Sequence, residues 1–181
     1  MNALTINPAT KELQSIDIEM KANSVYSFFN SILIDELSTL NQHTIYTNAN
    51  ALSQKETPFF IGEQLIVGDA LIVGLNGMEE VDAIVAQEEL AEFISYDINT
   101  FYRESLGLLA QSDINLYRTF AVQQGDETLQ LNAEWVLYTF NLADQATQAY
   151  FMTELKKALD AKEDITAYLQ KMAQLAINAA Q

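Results

Sequence analysis

Residues 68–77, GDALIVGLNG, carry the clearest signals for a central strand and its hairpin. From Asp69 to Leu75 the apolar residues follow one another without alternation, which indicates a strand buried on both faces in the middle of a sheet. Asn76-Gly77 then predicts a type I′ hairpin turn, because both turn positions need positive φ angles that these residues tolerate. The partner strand is predicted at Met78 to Val85.

The residues before this hairpin predict further strands and one helix. Apolar and acidic residues alternate between Gln14 and Met20, which is the period of a half-buried strand. From Ser24, a suitable N-cap, apolar residues recur at helical spacing to about Leu40 and predict an amphipathic helix. The polar segment from Asn41 to Pro58 predicts a flexible loop with one short strand around Thr44 to Thr47. Two more strands are predicted at Phe59 to Ile61 and Gln64 to Val67.

The residues after the hairpin predict helices and a second hairpin. Helical spacing resumes at Gln87, and a second helical stretch runs from about Ile98 to Ala110. β-branched and aromatic residues predict a long antiparallel hairpin with strands from Ile114 to Val122 and from Leu129 to Leu142. The last 40 residues contain no Gly or Pro. They predict either two helices or a single helix from about Asp144 to Asn178.

Together these elements predict an α+β fold with a mixed or antiparallel sheet, packed helices and a helical C-terminus. One division of the chain gives a mixed lobe of residues 1–95, which holds the Asn76-Gly77 hairpin, and a lobe of residues 96–181 with the second hairpin and the C-terminal helices. A single continuous domain is the alternative, because 181 residues fit either arrangement. The Ala-rich last turns of the C-terminal helices indicate either close packing within the chain or a partner helix, and the second alternative predicts a homodimer through these helices.

The chain carries 25 acidic and 9 basic residues, a formal net charge of −16. Such a chain repels nucleic acid, anionic membranes and phosphorylated substrates, so the predicted partner is a basic protein surface, with no direct binding of nucleic acid or membrane. The excess is local, because residues 58–111 hold 10 acidic residues and one basic residue. The predicted partner-binding residues in this region are Glu79, Glu80, Asp82, Glu88, Glu89, Glu92, Asp97 and Glu104.

Three interpretations of these carboxylates remain open. Glu88, Glu89 and Glu92 are typical of a helix start, where the amide dipoles stabilise each carboxylate by about 0.3–1 kcal/mol. The eight residues together could instead form a negative face for a basic partner, or hold a divalent cation. As a nucleic-acid mimic the face would be sparse, since its charges would lie roughly 5 Å apart against about 1.7 Å per charge in duplex DNA. Mimicry would need further acidic residues or a dimer.

Few residues are available for other chemistry. The absence of cysteine excludes thiol nucleophiles and thiolate metal sites. His43 is the single histidine, which excludes a two-histidine metal site within one chain, and its polar neighbours predict an exposed, inert side chain. No metal, cofactor or catalytic residue is therefore assigned. Enzymatic activity is left open, because a pair of acids can support hydrolysis from any two positions in a sequence.

The N-terminal residues, Met1 to Ser15, lack the basic and apolar regions of a secretory signal. The longest apolar runs, such as Ala70 to Val73, are far too short to span a bilayer. The absence of cysteine fits a reducing compartment. These features predict a soluble, cytoplasmic protein.

Three stretches carry a resemblance to a known kind of domain. They are Leu13 to Met20, Thr44 to Asn50, and Gly68 to Gly74 before the hairpin. In this order they make residues 4–90 similar to a small domain of unknown function that recurs in phage and plasmid accessory proteins. The resemblance does not cover the C-terminal half. It implies a mobile-element protein in a bacterial cytoplasm, and it supplies no active site.

Charge and resemblance together favour one functional hypothesis over two others. The favoured hypothesis is an acidic, non-enzymatic accessory protein of a mobile element that binds a basic surface on a partner protein and inhibits a host complex that binds nucleic acid. The alternatives are a homo-oligomeric structural or assembly module and a carboxylate-based hydrolase.

Overall fold

The computed structural model describes residues 1–38 and 42–180 of the chain. It has an α+β fold with antiparallel sheets and a helical C-terminus, so the predicted fold class is confirmed. Contacts between Cα atoms divide the chain into two compact units, Met1–Ile98 and Asn99–Gln181. Among the described residues, no helix has the length and apolar composition that crossing a membrane requires.

The N-terminal unit contains, in chain order, β1 (Asn2–Asn7), β2 (Glu12–Asp17), α1 (Ala22–Phe29), β3 (Ile34–Leu37), β4 (His43–Asn48), β5 (Pro58–Ile61), β6 (Gln64–Val67), β7 (Ala70–Asn76), β8 (Glu79–Val81), α2 (Gln87–Phe93) and β9 (Ile94–Ser95). Six strands form an antiparallel sheet in the order β2-β1-β7-β4-β3, with β8 also paired to β7. A second antiparallel sheet has the order β6-β5-β9. Helix α1 covers one face of the larger sheet, where Val25 packs with Ala3, Tyr46, Leu71 and Val73.

Strand β7 confirms the prediction made from residues 68–77. It lies in the middle of the larger sheet between β1 and β4, and residues 70–74 are buried. The hairpin to β8 is present, with Asn76 opposite Glu79, so Gly77 and Met78 form the turn. Of these two residues only Gly77 has a positive φ, 67°. The predicted type I′ turn is therefore wrong, since one positive φ at the first turn residue is the pattern of type II′.

The predicted helix from Ser24 to about Leu40 is wrong in its second half. Helix α1 ends at Phe29 because Asn30 adopts a left-handed conformation, with a φ of 48°. Its N–H bonds back to the carbonyl oxygens of the last turn, which is a common way to stop a helix. The chain then enters β3, which pairs with β4. Leu40 itself lies outside the described residues.

Within the predicted loop from Asn41 to Pro58, the short strand expected around Thr44 to Thr47 is confirmed as β4, but it is an inner strand of the sheet rather than part of a flexible loop. Every residue of β4 is buried, and the strand pairs with β7 on one side and β3 on the other. Its polar side chains have internal partners, as the Thr47 hydroxyl donates to the carbonyl oxygen of Val67 over 3.1 Å. Satisfied hydrogen bonds remove the cost of burying these groups. Asn41, where the predicted loop begins, lies outside the described residues.

Strand β1 was not expected from the sequence, and β2 is displaced. Ala3, Leu4 and Ile6 are buried in β1, which pairs with both β2 and β7. Strand β2 spans Glu12–Asp17 rather than Gln14 to Met20. The alternating pattern thus marked a strand correctly and misplaced its ends.

The C-terminal unit contains, in chain order, α3 (Thr100–Leu109), β10 (Phe120–Gln124), β11 (Glu127–Leu131), α4 (Ala133–Asn141), α5 (Gln145–Asp160) and α6 (Ile165–Ala179). The ring of Phe151 lies in its core, 4.5 Å from the ring of Phe140 and 6.5 Å from that of Tyr168. Helix α6 also binds the backbone of β10. The Gln174 side chain donates to the Gln123 carbonyl oxygen over 2.7 Å and accepts from the Gln123 N–H over 3.0 Å.

The second predicted hairpin is shorter than expected. Strand β10 begins at Phe120 rather than Ile114, and β11 ends at Leu131. The rest of the strand predicted to reach Leu142 is helix α4. Asn132 starts this helix as its N-cap, since its side-chain oxygen accepts from the N–H of Trp135 over 2.9 Å. The buried residues of α4 follow helical spacing; they are Ala133, Val136, Leu137 and Phe140.

The C-terminus consists of two helices. Helix α5 ends at Asp160, and Lys162 has a left-handed φ of 55° in the connection. Asp164 starts α6, because its side-chain oxygen accepts from the N–H of Ala167 over 3.2 Å. The alternative of a single helix from Asp144 to Asn178 is therefore wrong.

Candidate functional site

The charge excess is concentrated in the N-terminal unit. Residues 1–98 carry 15 acidic and 3 basic side chains, a net of −12, whereas residues 99–181 carry 10 and 6, a net of −4. Asp97 follows β9 and is exposed, and Glu104 lies exposed on α3 in the C-terminal unit. The other six predicted partner-binding residues lie on or next to β8 and α2. We call these six the acidic segment: Glu79, Glu80, Asp82, Glu88, Glu89 and Glu92.

Helix α2 exposes all three of its carboxylates and buries Leu90 completely. Its N-cap, Ala86, makes no side-chain cap bond, so Glu88 and Glu89 in the first turn lie where the helix dipole favours negative charge. Glu92 follows Glu88 by four residues, at the spacing where like charges repel. The helix start explains two of the carboxylates and leaves Glu92 without a stabilising role.

On β8, Glu79 and Glu80 point to opposite sides of the strand, as successive strand residues do. Glu79 is exposed, whereas Glu80 is half-buried and accepts a hydrogen bond from the Tyr46 hydroxyl. Burial, this hydrogen bond and the charges of Glu80 and Glu36 raise the pKa of the Tyr46 phenol well above its usual range. The carboxylates of Glu80 and Glu36 therefore lie near one buried hydroxyl, which sequence reasoning did not anticipate.

The chain between β8 and α2 is fixed to the sheet by hydrogen bonds of its backbone and side chains. The N–H of Asn2 donates to Asp82 Oδ1 over 2.8 Å, and the N–H of Ala83 donates to the Asn2 carbonyl oxygen over 2.8 Å. At the start of α2, the Gln87 side chain donates to the Leu13 carbonyl oxygen over 2.8 Å. The acidic segment is thus held against β1 and β2 at both ends of the connection.

His43 holds the middle of the same connection. Its Nε2 atom accepts from the N–H groups of both Ile84 and Val85, each over 3.1 Å, and the residue is only 6% exposed. The predicted exposed, inert histidine is therefore wrong, since His43 lies on inner strand β4 and has a structural role. Two N–H groups directed at one ring nitrogen require that nitrogen to carry no proton.

Gly74 allows the connection to cross β7 closely. A Cβ atom at this position would lie 2.3 Å from the backbone oxygen of Asp82 and 2.9 Å from the Ile84 side chain. Both distances are too short for any side chain, so glycine is required here by packing. Gly74 and His43 are thus the residues of the central strands that position the acidic segment.

The carboxylates of the acidic segment form no salt bridge within residues 1–38 and 42–180. The hydrogen bond to Asp17 raises the pKa of the Met1 ammonium, and the charge of Asp82 adds to this rise. Of the basic residues in this unit, Lys21 pairs with Glu19, and the Lys11 ammonium lies 5.6 Å from the centre of the Tyr96 ring. The negative charge of β8 and α2 is therefore left for solvent, ions or a partner.

Glu56 and Asp69 form a second acidic feature, which sequence reasoning missed. Burial and the neighbouring charge of Asp69 raise the pKa of Glu56, and burial raises the pKa of Asp69. Glu56 is used internally, since it accepts from the Asp69 backbone and from the Asn48 side chain. No described group of three or more histidine or acidic side chains is arranged to hold a metal ion. We therefore assign Glu56 a role in ordering the turns before β5.

Comparison of the chain with protein-family models, curated proteins and solved structures gives no match. The resemblance of residues 4–90 to a domain of phage and plasmid accessory proteins thus stays a prediction.

Proposed function

We propose that this protein is a non-enzymatic accessory protein that binds a basic surface on a partner protein through the acidic segment. One observation carries the proposal. Six carboxylates that form no salt bridge within the described chain lie on β8, on α2 and in the connection that hydrogen bonds between side chains and backbone fix to the sheet. Like charges brought together in this way disfavour folding, so a partner that neutralises them would restore the lost free energy.

The fixed backbone of the acidic segment favours binding. Because the connection is already ordered by Asn2, His43 and Gln87, a partner would not have to order it. Ordering a flexible segment on binding costs free energy and weakens affinity. Exposed charges also steer a basic partner and increase its association rate.

The proposed partner is a protein whose basic surface otherwise binds nucleic acid. Such surfaces gain most of their affinity from contacts with phosphate charges, so an acidic protein can compete for them. We place this activity in a bacterial cytoplasm and in a mobile element on the strength of the resemblance alone. Duplex DNA added in increasing amounts should then displace the protein from its partner.

The test compares two triple variants of equal charge. The first is Glu88→Gln, Glu89→Gln and Glu92→Gln on α2. The control is Asp126→Asn, Glu127→Gln and Glu163→Gln, which removes three exposed charges from the C-terminal unit. The probe is a fluorescent octalysine peptide, and fluorescence anisotropy measures its affinity at 50 and 200 mM salt.

We expect the α2 variant to lose roughly tenfold in affinity at about 50 mM salt, since each exposed ion pair contributes about 0.2–1 kcal/mol. The control variant should lose less than about threefold, and salt should weaken wild-type binding, because about 0.1 M salt screens charges beyond about 10 Å. Equal losses in the two variants would show that the acidic segment is not the binding surface. In bacterial lysate, the partner should be captured by wild type and not by the α2 variant.

A second candidate function, homo-oligomeric assembly, is supported by a groove in the C-terminal unit. The groove has a volume of about 400 Å³ between α4, α5 and α6, and no charged side chain lines it. Tyr150 and Leu175 are exposed along it. Because each copy is strongly acidic, an uncharged surface is where two copies can meet with least repulsion, so we propose a second copy as its occupant.

Light scattering after gel filtration tests this second candidate. At about 50 μM, wild type should have the mass of a dimer and Leu175→Glu that of a monomer, because a buried unpaired charge is costly. Thr166→Glu adds the same charge to an exposed position of α6 outside the groove, and it should stay dimeric. A monomeric wild type would rule the proposal out.

A further inference from the structure

A cavity of about 280 Å³ opens between α1 and the strands β3, β4 and β8. Its polar wall is formed by Glu36, Tyr46 and Glu80, and its apolar wall includes Val25 and Ile34. The volume is just below the roughly 300–1,000 Å³ of sites for drug-sized ligands. It therefore suits a single long side chain better than a cofactor.

The polar wall of this cavity carries two carboxylates, which favour the binding of a cation. Glu36 lies directly opposite Tyr46 in the pairing of β3 with β4, and Glu80 accepts from the Tyr46 hydroxyl. Tyr46 is only 8% exposed, and its bond to Glu80 positions that carboxylate at the cavity. Both carboxylates act on the same hydroxyl, since each raises the pKa of Tyr46. Two carboxylates beside a buried phenol give the cavity a strongly negative potential.

No basic group of the described chain forms a salt bridge with Glu36 or Glu80. Lys21 also lines the cavity, but its ammonium group forms an ion pair with Glu19. A metal ion is not favoured, because no described group of three acidic or histidine side chains converges there. The remaining class of ligand is an organic cation with an apolar stem, which would use both walls of the cavity.

The surroundings of the cavity indicate that this cation belongs to a protein segment. Ile32 lines the cavity and is 77% exposed, and the next residue, Leu33, is 51% exposed. Tyr26 lines it as well and presents an aromatic ring to solvent. Neighbouring apolar residues of a partner could pack on this rim while its cation enters the cavity.

We infer that the cavity, which we call the Tyr46 pocket, receives an arginine side chain of the partner protein. The inference rests on the proposed function and names the group that is recognised. Arginine fits better than lysine, because its planar guanidinium binds carboxylates through two parallel hydrogen bonds and stacks on aromatic rings. Its three-carbon stem would lie against the apolar wall.

Nuclear magnetic resonance titration of the protein labelled with ¹⁵N and ¹³C tests the inference, because the ¹³C label reports the tyrosine rings. The probes are N-acetyl-arginine methylamide and N-acetyl-citrulline methylamide, which has nearly the same shape and no charge. We expect the arginine probe to shift the ring resonances of Tyr46 and Tyr26, and the citrulline probe to leave them unchanged. Equal shifts with both probes, or none with arginine, would overturn the inference.

Three variants locate the site. Glu80→Gln and Glu36→Gln should each weaken the arginine probe by about tenfold or more, as expected for a lost charge-assisted hydrogen bond. Glu63→Gln removes a charge from the exposed turn between β5 and β6, outside the acidic segment, and should change affinity by less than about twofold. Glutamine can still accept from Tyr46, and unchanged amide spectra of the free variants will verify their folds. Equal losses in Glu63→Gln and Glu80→Gln would overturn the pocket.

The two proposals can fail separately. If octalysine binding still depends on the α2 carboxylates while the arginine probe leaves Tyr46 unchanged, only the Tyr46 pocket is rejected. If octalysine binds equally well to the α2 variant, the proposed function fails whatever the arginine probe does.

Discussion

Replacing His43 by leucine removes the acceptor that holds the connection between β8 and α2. The hydrogen bonds that His43 accepts from the N–H groups of Ile84 and Val85 are then lost. Each intramolecular hydrogen bond contributes about 0.5–1.5 kcal/mol net, so their loss should lower the free energy of unfolding by about 1–3 kcal/mol. We do not expect the larger cost of fully buried unpaired donors, because Ile84 is exposed and water can reach the connection.

Amide hydrogen exchange is the assay that localises this effect. In His43→Leu, exchange at the Ile84 and Val85 amides should accelerate about tenfold for each 1.4 kcal/mol lost locally. The amides that pair β4 with β7 should be affected less, because their partners are unchanged. Urea unfolding gives the accompanying change in global stability.

A second variant separates the hydrogen bonds from the packing of the ring. His43→Gln offers a side-chain oxygen that can accept from the same N–H groups, so we expect it to retain part of the protection. Unchanged exchange at Ile84 and Val85 in His43→Leu would refute the reasoning. Equal acceleration at every amide of the sheet would also refute it, since the effect would then be general unfolding.

Three further predictions concern other positions. Gly74→Ala should destabilise the protein and accelerate exchange around Asp82, because its Cβ would meet the Asp82 backbone oxygen at 2.3 Å; unchanged exchange there would contradict the packing argument. Glu56→Gln should raise the free energy of unfolding at pH 7, since the pKa of Glu56 is raised in the folded state and its charged form therefore costs stability. This gain in stability should disappear as the pH falls below about 4.5, where Glu56 is protonated in both the folded and the unfolded state. Urea unfolding at several pH values measures the gain. A gain that persists at low pH would show that the charge of Glu56 is not its cause. Asn132→Ala should lower the free energy of unfolding by about 1 kcal/mol, because it removes the N-cap of α4. Asn132→Asp should lower it less, because aspartate can still accept from the N–H of Trp135. Equal losses in urea unfolding would show that the cap does not stabilise α4.

The part of the fold that the sequence predicted is the part fixed by local patterns. The apolar run from Asp69 to Leu75 and the Asn76-Gly77 turn placed a buried strand and its hairpin correctly, because burial on both faces leaves a continuous apolar signal. Helix α2 was found from its spacing. The turn type was wrong, since it depends on which residue the register places in the turn.

The short strand predicted around Thr44 to Thr47 is present as β4, but its place inside the sheet was missed because its polar residues have partners far away in the sequence. Thr47 bonds to Val67, and His43 bonds to Ile84 and Val85, 41 and 42 residues later. Composition marks such a stretch as a loop, whereas long-range hydrogen bonds make it an inner strand. An alternation of polar and apolar residues could not reveal the two faces of β4, because every residue of the strand is buried.

Helix α4 was assigned to a strand because its residue types suit both structures. Trp135 to Phe140 is aromatic and β-branched, which favours strands, but its buried positions follow helical spacing. The Asn132 N-cap was the signal that could have decided the matter. Tertiary contacts outweighed a weak local preference in this segment.

The sequence predicted where the negative charge of the candidate site lies, but not how its side chains are arranged in space. The sequence located the acidic excess, and the structure places six of the eight residues on or next to β8 and α2, with Glu104 in the other unit. The Tyr46 pocket could not have been predicted, because Glu36, Tyr46 and Glu80 come from three different strands. Only the pairing of β3, β4, β7 and β8 brings them to one cavity.

Chemical-shift mapping with octalysine tests the central claim most directly. Titration of the ¹⁵N-labelled wild-type protein at about 50 mM salt reports which amides the basic probe approaches. We expect the largest shifts in residues 79–92, and the α2 triple variant should need a roughly tenfold higher octalysine concentration to reach the same shifts. Shifts spread evenly over all acidic residues, or concentrated in residues 99–180, would contradict this claim.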